Sequence, residues 1–317
     1  MKKFIKNILK YFLLSISFYI PLLIIYGEYF NINLKSNLHK RAVYGNLFDR
    51  NNDIENFSNV DILFLGDSHV YRGFDNRIFL EKKLKTFNLA SSGQTPKQTE
   101  ILIKRHIDQL NPKLVIINAN PNSFCVNGIE STYDLIINTK IDSMLIRSVF
   151  HYKNWRLLNT LIFNFFKKNI KKNFNVESIT DYEKKYFKDN KYISGGFVER
   201  KLSFNTPQNY PSLELLYLEE QFDAFNNIVN LIRKKDINFL ITQIPVTQAY
   251  YNRVNNIKIF NNKMRDIGEY INFNNIVDLN DSLHFYDSNH LNKNGVEVFN
   301  HFFIKDIINK KKLHFNN

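Results

Sequence analysis

The sequence has only one cysteine, Cys125, in 317 residues. One thiol can form neither a disulfide framework nor a zinc site built from several thiolates. The chain also lacks the spacing of a zinc finger and an RNP-like aromatic motif. Beside His69, no further histidine or cluster of acidic residues stands at the spacing of metal ligands. We therefore expect no disulfides, no metal, no cofactor and no nucleic-acid partner.

Acidic residues are outnumbered: 30 Asp and Glu against 43 Lys and Arg give a formal net charge of +13. Such an excess would suit an anionic membrane face or an acidic polymer as partner. The lysines are scattered among many Asn, Ile and Phe residues, which favours a compositional bias and a solvated basic surface. With 44% hydrophobic and 23% charged residues, the chain is expected to form one main domain with a sizeable core.

Long apolar runs are also scarce, and the N-terminus holds the clearest one, from Tyr11 to Gly27. Four lysines precede it and Glu28 follows it. The run is long enough to cross a bilayer, with Lys10 reaching back to the headgroups. Small residues at signal-peptidase spacing are missing, so a signal anchor is favoured over a cleaved signal peptide.

This anchor defines a predicted topology. Because lysines stay on the cytoplasmic side, we expect residues 1–30 to be a cytoplasmic tail and single transmembrane helix of the cytoplasmic (inner) membrane. Residues 31–58 would be a polar connector on the extracytoplasmic side. A core helix buried in a globular domain is the alternative.

The rest of the chain has no internal repeats and alternates short apolar runs with amphipathic segments. Such alternation predicts a parallel sheet with helices on both faces, whose ligand chemistry lies beyond the carboxyl ends of the strands. The predicted strands are residues 60–66, 86–90, 113–119, 237–245 and 275–279. The predicted helices are residues 75–84, 96–110, 212–236, 252–271 and 294–309.

Residues from about 128 to 211 interrupt this alternation and are interpreted as an insertion. It could lie over the active edge of the sheet or merely lengthen the core with further helices. A third possibility is that its aromatic, basic segment 154–172, which contains Trp155, rests on the membrane surface.

Ser68 lies directly after the first predicted strand, in the sequence Gly66-Asp67-Ser68. A serine hydroxyl becomes a useful nucleophile only when a base takes its proton and a third group orients that base. Asp287 and His290, three residues apart after the last predicted strand, can supply that pair. The alternative for Asp67 and Ser68 is a plain helix cap.

With these two motifs, "FLGDSH" and "DSNHLNKNG", the chain resembles the SGNH (GDSL-like) hydrolase superfamily, of the membrane-anchored cell-envelope type. The resemblance implies a flavodoxin-like three-layer sandwich with a five-stranded parallel sheet over residues 59–312, interrupted by the insertion. It also implies that Ser68 is the nucleophile, His290 the base and Asp287 the orienting acid.

The resemblance further implies an oxyanion hole. Gly93 follows the second strand, where a backbone N–H can approach a developing oxyanion, and the N–H of Ser68 would be another donor. The family's third motif, G-x-N-D, reads Asn120-Pro121-Asn122-Ser123 here, so the expected side-chain donor is Asn122, with Asn120 as a weaker candidate.

Other residues have less specific interpretations. Gly93 could be an ordinary turn glycine, and His69 is expected to line the pocket rather than to bind a metal. Asp278 and Asp281 are rival orienting acids, less well placed than Asp287. The second glycine of the G-x-S-x-G elbow is missing, so the usual α/β-hydrolase arrangement is not expected.

The leading hypothesis is a membrane-tethered serine esterase or O-acyltransferase that acts on acyl groups, most simply acetyl, of a cell-envelope polysaccharide. A membrane acyltransferase could be its partner. One alternative is a lipid-facing esterase or lysophospholipase. Another is a non-catalytic module that binds a glycan or helps to assemble a complex. The sequence motifs do not separate hydrolysis from transfer.

Overall fold

The computed structural model describes residues 1–29, 46–170 and 189–309. The chain forms two compact units. Of the described residues, 1–29 and 132–170 belong to one unit, called the helical unit here, and 46–131 and 189–309 belong to the other, called the α/β unit.

The α/β unit is built on a five-stranded sheet in the order β2-β1-β3-β6-β7, in which every pair of neighbours is parallel. Its strands are β1 (Ile62–Gly66), β2 (Thr86–Ala90), β3 (Leu114–Asn118), β6 (Asn238–Gln243) and β7 (Tyr270–Asn272). Counted within the sheet, this is the 2-1-3-4-5 order of flavodoxin-like doubly wound folds. The predicted five-stranded parallel α/β sheet is thus confirmed.

The position predicted for the fifth strand, 275–279, is wrong. The strand is Tyr270–Asn272, which pairs with Ile241–Gln243, and Phe273–Asn275 then form a 3-10 turn. The Asn272 side chain accepts a hydrogen bond from the Asn274 N–H at 3.0 Å and so starts that turn. The apolar side chain of Val277 is buried in the loop that follows, so the apolar run covers the core instead of extending the sheet.

Helices connect the strands and flank them. They are α2 (Leu47–Asp53), α3 (Ser68–Gly73), α4 (Asn76–Glu81), α5 (Pro96–Leu110), α9 (Glu219–Lys234), α10 (Gln248–Asn252), α11 (Ile257–Ile267) and α12 (Lys293–Phe302), with α12 continued by a wider helical turn over Phe303–Asn309. The helix predicted over 252–271 is shorter, because α11 ends before Gly268. The helix predicted over 212–236 begins only at Glu219.

Successive side chains of β1 point to opposite faces of the sheet. Phe64 stacks on Phe74, with ring centroids 4.1 Å apart, and meets Phe79 edge-on at 5.2 Å. Phe299 and Phe303 complete this aromatic cluster from the C-terminal helix. Each such buried side chain contributes about 1.5 to 3 kcal/mol. The cluster therefore packs the segment after β1 against the C-terminal helix, which follows the loop that contains His290.

Part of the segment predicted as a connector is folded into the α/β unit. Arg50, on α2, is completely buried; its guanidinium donates to the Gly196 carbonyl at 2.7 Å and lies over the rings of Tyr71 and Tyr192. Gly196 belongs to an antiparallel hairpin of β4 (Asn190–Ile193) and β5 (Phe197–Arg200), the final part of the predicted insertion. Residues 31–45 of the connector lie outside the described residues.

The helical unit contains α1 (Lys2–Tyr29), α7 (Ser143–His151) and α8 (Trp155–Ile170), together with most of α6 (Ile129–Asn138). Helix α1 is long and apolar enough to cross a membrane. It packs on α8: Leu23 and Phe163 are buried in one cluster, and the Tyr19 hydroxyl donates to Asn159 Oδ1 at 2.5 Å.

Candidate active site

The site begins at the end of β1, where Gly66 turns the chain out of the sheet with φ of 146°. A side chain there would place its Cβ 2.6 Å from Val70 Cγ2 and 3.0 Å from Asn118 Cβ. Only glycine therefore lets β1 pass this close to the end of β3 while entering α3. This junction lies at the switch point of the doubly wound sheet, because β1 has β2 as its neighbour on one side and β3 on the other.

Asp67 caps α3 and holds the loop in place. Its Oδ1 accepts from the His69 N–H at 3.1 Å and lies 3.0 Å from His69 Nδ1. The Asn120 amide donates to Asp67 Oδ2 at 2.5 Å, so the end of β3 is tied to the same carboxylate. The helix cap that was the alternative interpretation of Asp67 is thus present, and it does not exclude a contact between Ser68 and His290.

The structure brings together the three residues expected to form a catalytic triad. His290 Nε2 lies 2.8 Å from Ser68 Oγ, although the two residues are 222 positions apart. His290 Nδ1 lies 2.9 Å from Asp287 Oδ2 and 3.0 Å from Oδ1. This geometry lets the carboxylate hold the proton on Nδ1 and leaves Nε2 to accept the proton of Ser68.

The loop that carries His290 is held by hydrogen bonds to its backbone N–H and carbonyl groups. Asp287 Oδ1 accepts from the N–H groups of Asn289 and His290, at 3.0 and 2.8 Å. Thr247, after β6, donates to the Ser288 carbonyl through both its N–H and its hydroxyl. The loop is therefore fixed to the same edge of the sheet as Ser68.

Asn292 closes this loop at the start of α12. Its Oδ1 accepts from the Gly295 N–H as a helix cap, and its amide donates to the carbonyls of Leu283 and Phe285. At Gly295, a Cβ would collide with the backbone of His284, which cannot retreat as a flexible side chain could. The sequence "HLNKNG" thus combines His290, the candidate base, with the helix cap and the close backbone approach that position it.

The charges around His290 favour its neutral form. Burial lowers the pKa of His290, and the positive charges at His69 and Arg72 lower it further, although Asp287 acts in the opposite direction. Burial alone would raise the pKa of Asp287, but its hydrogen bonds and the charge of His290 outweigh burial and lower it. Near neutral pH the site therefore holds a carboxylate beside an uncharged imidazole.

A pH profile tests this assignment. Any ester turnover at Ser68, measured as kcat/KM, is expected to rise as His290 loses its proton, and the rise should lie below the ordinary histidine value of about 6.5. Arg72→Gln removes a positive charge and should move the rise to higher pH. Arg265→Gln, the same change on α11, should leave it in place. A rise that Arg72→Gln does not move would contradict the electrostatic assignment.

The proposed oxyanion donors follow the two strands beside β1. Gly93 lies in an exposed turn after β2 with φ of 59°, and Asn122 lies in a short 3-10 turn after β3. The Asn122 amide lies beside Asn120 Oδ1 and the Tyr250 hydroxyl. Their participation in an oxyanion hole remains a prediction. Asn120 instead has its amide bonded to Asp67 and its carbonyl to the Asn122 N–H.

The pairing of His69 with Asp67 was not anticipated from the sequence. The His69 ring is buried and lies 5.0 Å from the His290 ring. Burial alone would lower the pKa of His69, but the charge of Asp67 and their hydrogen bond outweigh it and raise the pKa. The G-D-S-H spacing was the available signal, because a capping aspartate reaches the residue two positions later.

The rival acid Asp281 is bonded elsewhere. Its carboxylate accepts from the N–H groups of Gln248 and Ala249. Asp278 is exposed on the surface. Within residues 1–29, 46–170 and 189–309, no group of three or more His, Cys, Asp and Glu side chains could hold a metal ion.

The fold and the site together define a flavodoxin-like α/β protein with a Ser–His–Asp arrangement at the switch point of its sheet. No protein-family model and no curated protein matches the sequence. Among solved structures, the chain is similar to a crystal structure described as a "putative acylhydrolase" from Bacteroides fragilis. The two share 14% identity at a TM-score of 0.42 over 86% of this chain and 99% of the other. The strand order, and not this likeness, defines the fold.

Proposed function

We propose that this protein is a serine esterase or O-acyltransferase of the SGNH type that works through an acyl-enzyme on Ser68. The observation that carries the proposal is the 2.8 Å separation between Ser68 Oγ and His290 Nε2, with Asp287 bonded to the far side of the imidazole. A nucleophile, a base and an orienting acid in this order are the requirements of acyl transfer.

The proposed reaction has two steps, acylation of Ser68 and transfer of the acyl group to an acceptor. His290 takes the proton of Ser68 as Oγ attacks the ester carbonyl, and the resulting oxyanion accepts hydrogen bonds from the N–H groups of Ser68 and Gly93 and from the Asn122 amide. His290 then returns the proton to the leaving alcohol, and an acyl-enzyme remains. Water or another hydroxyl repeats the sequence and releases Ser68.

We place the reaction at the outer side of the cytoplasmic membrane and assign acetylated envelope glycans as substrates. Helix α1 would serve as the single membrane anchor, and the lysines before Tyr11 would keep its start in the cytoplasm. Beside Asn122, Tyr250 and Tyr210 meet with ring centroids 5.5 Å apart. Tyrosine combines an apolar face with a polar tip, which suits a sugar ring.

The test uses the full-length protein in detergent or nanodiscs. Incubated with p-nitrophenyl acetate, it is expected to release nitrophenol and to carry one acetyl group on the peptide that contains Ser68. Adding an acetylated glycan, or a glycan acceptor, shows whether water or a sugar hydroxyl resolves the acyl-enzyme. An enzyme that neither acylates at Ser68 nor turns over any ester would overturn the proposal.

A lipid-facing esterase is the second candidate, and one observation favours it. On α8 of the helical unit, Trp155 and Phe165 leave 76% and 48% of their surfaces exposed, near basic side chains. Aromatic and basic residues on one helix are typical of membrane-surface contact. Lysophospholipid turnover by the wild type, with none on acetylated sugars, would favour this candidate over the first.

A further inference from the structure

Two arginines face a tyrosine that lies directly beside the proposed base. The Tyr286 ring is parallel to the His290 ring, at 3° and a centroid distance of 5.3 Å. On Tyr286, the Arg200 guanidinium lies 4.4 Å from the ring centroid and that of Arg72 lies 5.4 Å from it. The cations come from different elements, since Arg72 is on α3 and Arg200 is at the end of β5.

Among the described residues, neither arginine is paired with an acid. Arg72 donates to the neutral Asn190 amide oxygen at 3.0 Å, and within the described part of the chain no carboxylate lies in salt-bridge range of Arg72 or Arg200. Glu199, next to Arg200 in sequence, pairs with Arg77 at 2.6 Å on the opposite side of the strand. Asp287, next to Tyr286, is engaged by His290.

The aromatic rings offset part of the cost of holding two like charges here, since Arg72 also lies 5.2 Å from the Tyr71 ring centroid, but they do not neutralise those charges. Both guanidinium groups belong to half-buried residues, so water screens their repulsion only in part. Burial raises the pKa of Tyr286 well above its ordinary value, so its hydroxyl keeps its proton and can donate. Two guanidinium groups and a phenol hydroxyl, all hydrogen-bond donors, therefore lie together, and among the described residues neither guanidinium has a carboxylate in salt-bridge range.

We propose that Arg72, Arg200 and Tyr286 form a subsite for an anionic group of the substrate, so that the acylated polymer is an acidic glycan. The inference rests on the proposed function and adds the substrate class to it. The planar guanidinium binds a carboxylate or a phosphate through two parallel hydrogen bonds, so either group fits. The contact of Tyr286 with His290 places the anion within reach of the sugar that carries the ester.

The test compares matched esters on the full-length protein. The substrates are a mono-O-acetylated uronic acid glycoside, its uncharged carboxamide and an O-acetylated sugar phosphate. We expect kcat/KM for a charged ester to exceed that for the carboxamide by about 10- to 100-fold, the range for hydrogen bonds to charged groups. The preference should shrink as ionic strength rises, and the better of the two charged substrates identifies the anion.

Arg200→Gln is the decisive variant, because Arg72, and not Arg200, is among the largest influences on the pKa of His290. It should remove most of the charged-to-neutral ratio, and Arg200→Lys, which keeps the charge but not the planar fork, should restore part of it. Arg265→Gln loses the same charge on an exposed part of α11 and should retain the wild-type ratio. Unchanged thermal unfolding verifies that the variants are folded.

The failures of the two proposals can be told apart. Rapid turnover of the neutral and charged esters at equal kcat/KM would overturn the anion subsite and leave Ser68 chemistry standing. If no ester is turned over, calorimetry with a uronic acid oligosaccharide decides the subsite alone. Binding to the wild type that Arg200→Gln weakens about 10-fold or more supports it, and absence of binding overturns it.

Discussion

Ser68→Ala is expected to abolish labelling of the full-length protein by a fluorophosphonate and to lower ester turnover by about 10⁴-fold or more. The loss is large because alanine removes the hydroxyl oxygen on which the proposed acyl-enzyme forms. His290 and Asp287 would remain in place but would have no proton to transfer. Gel fluorescence measures the label, and release of nitrophenol measures the turnover.

The substitution should leave the fold intact, since the Ser68 hydroxyl contacts His290 at the edge of the sheet and is not part of the apolar core. Ser282→Ala, in the loop before the His290 turn, is a matched control and should label like the wild type. Persistent labelling of Ser68→Ala would mean that another residue is the nucleophile, and the proposed reaction would then be wrong.

Asp287→Asn is expected to lower kcat by about 10⁴-fold, as in triads whose acid becomes an amide. The asparagine oxygen can still accept from the N–H groups of Asn289 and His290, so the loop should keep its shape. Its NH₂ group, however, would face His290 Nδ1 and favour the tautomer with the proton on Nε2. That tautomer cannot accept the proton of Ser68.

The control for this change is Asp281→Asn. Asp281 is a second carboxylate before the same loop, bonded to the backbone of Gln248 and not to an imidazole. We expect Asp281→Asn to change kcat by less than about 10-fold, on the scale of one weakened hydrogen bond. Equal losses in both variants would indicate disruption of the loop and would remove Asp287 from its role as the orienting acid.

Sequence patterns predicted the fold where local and tertiary preferences agree. Helix α5 has the predicted bounds, 96–110, because Thr95 and Gln98 form a capping box and Pro96 occupies the first turn. The run 275–279 misled because apolar character indicates burial, and burial alone does not distinguish a strand from a loop that covers the core. Only pairing with β6 distinguishes a strand from such a loop, and five residues do not determine whether that pairing forms.

The candidate site was partly predictable for a related reason. Ser68, Asp287 and His290 all come after predicted strands, so their meeting could be expected at the carboxyl ends of a parallel sheet. The bond between Asn120 and Asp67 depends instead on the register of β1 against β3, which places Leu65 opposite Ile117. Likewise, Arg200 reaches Tyr286 only because the β4–β5 hairpin folds back from a segment that carried no periodic signal.

The packing of α1 on α8 has a practical consequence for handling this protein. A truncated version that starts after residue 29 would lack α1, which packs on Phe163, and would expose a side chain that is 1% exposed in the intact chain. Gly27, whose missing side chain makes room for that ring, would be lost with it. Removing α1 would thus leave an exposed apolar face on the helical unit, so solubilisation with α1 retained is the sounder route to purified material.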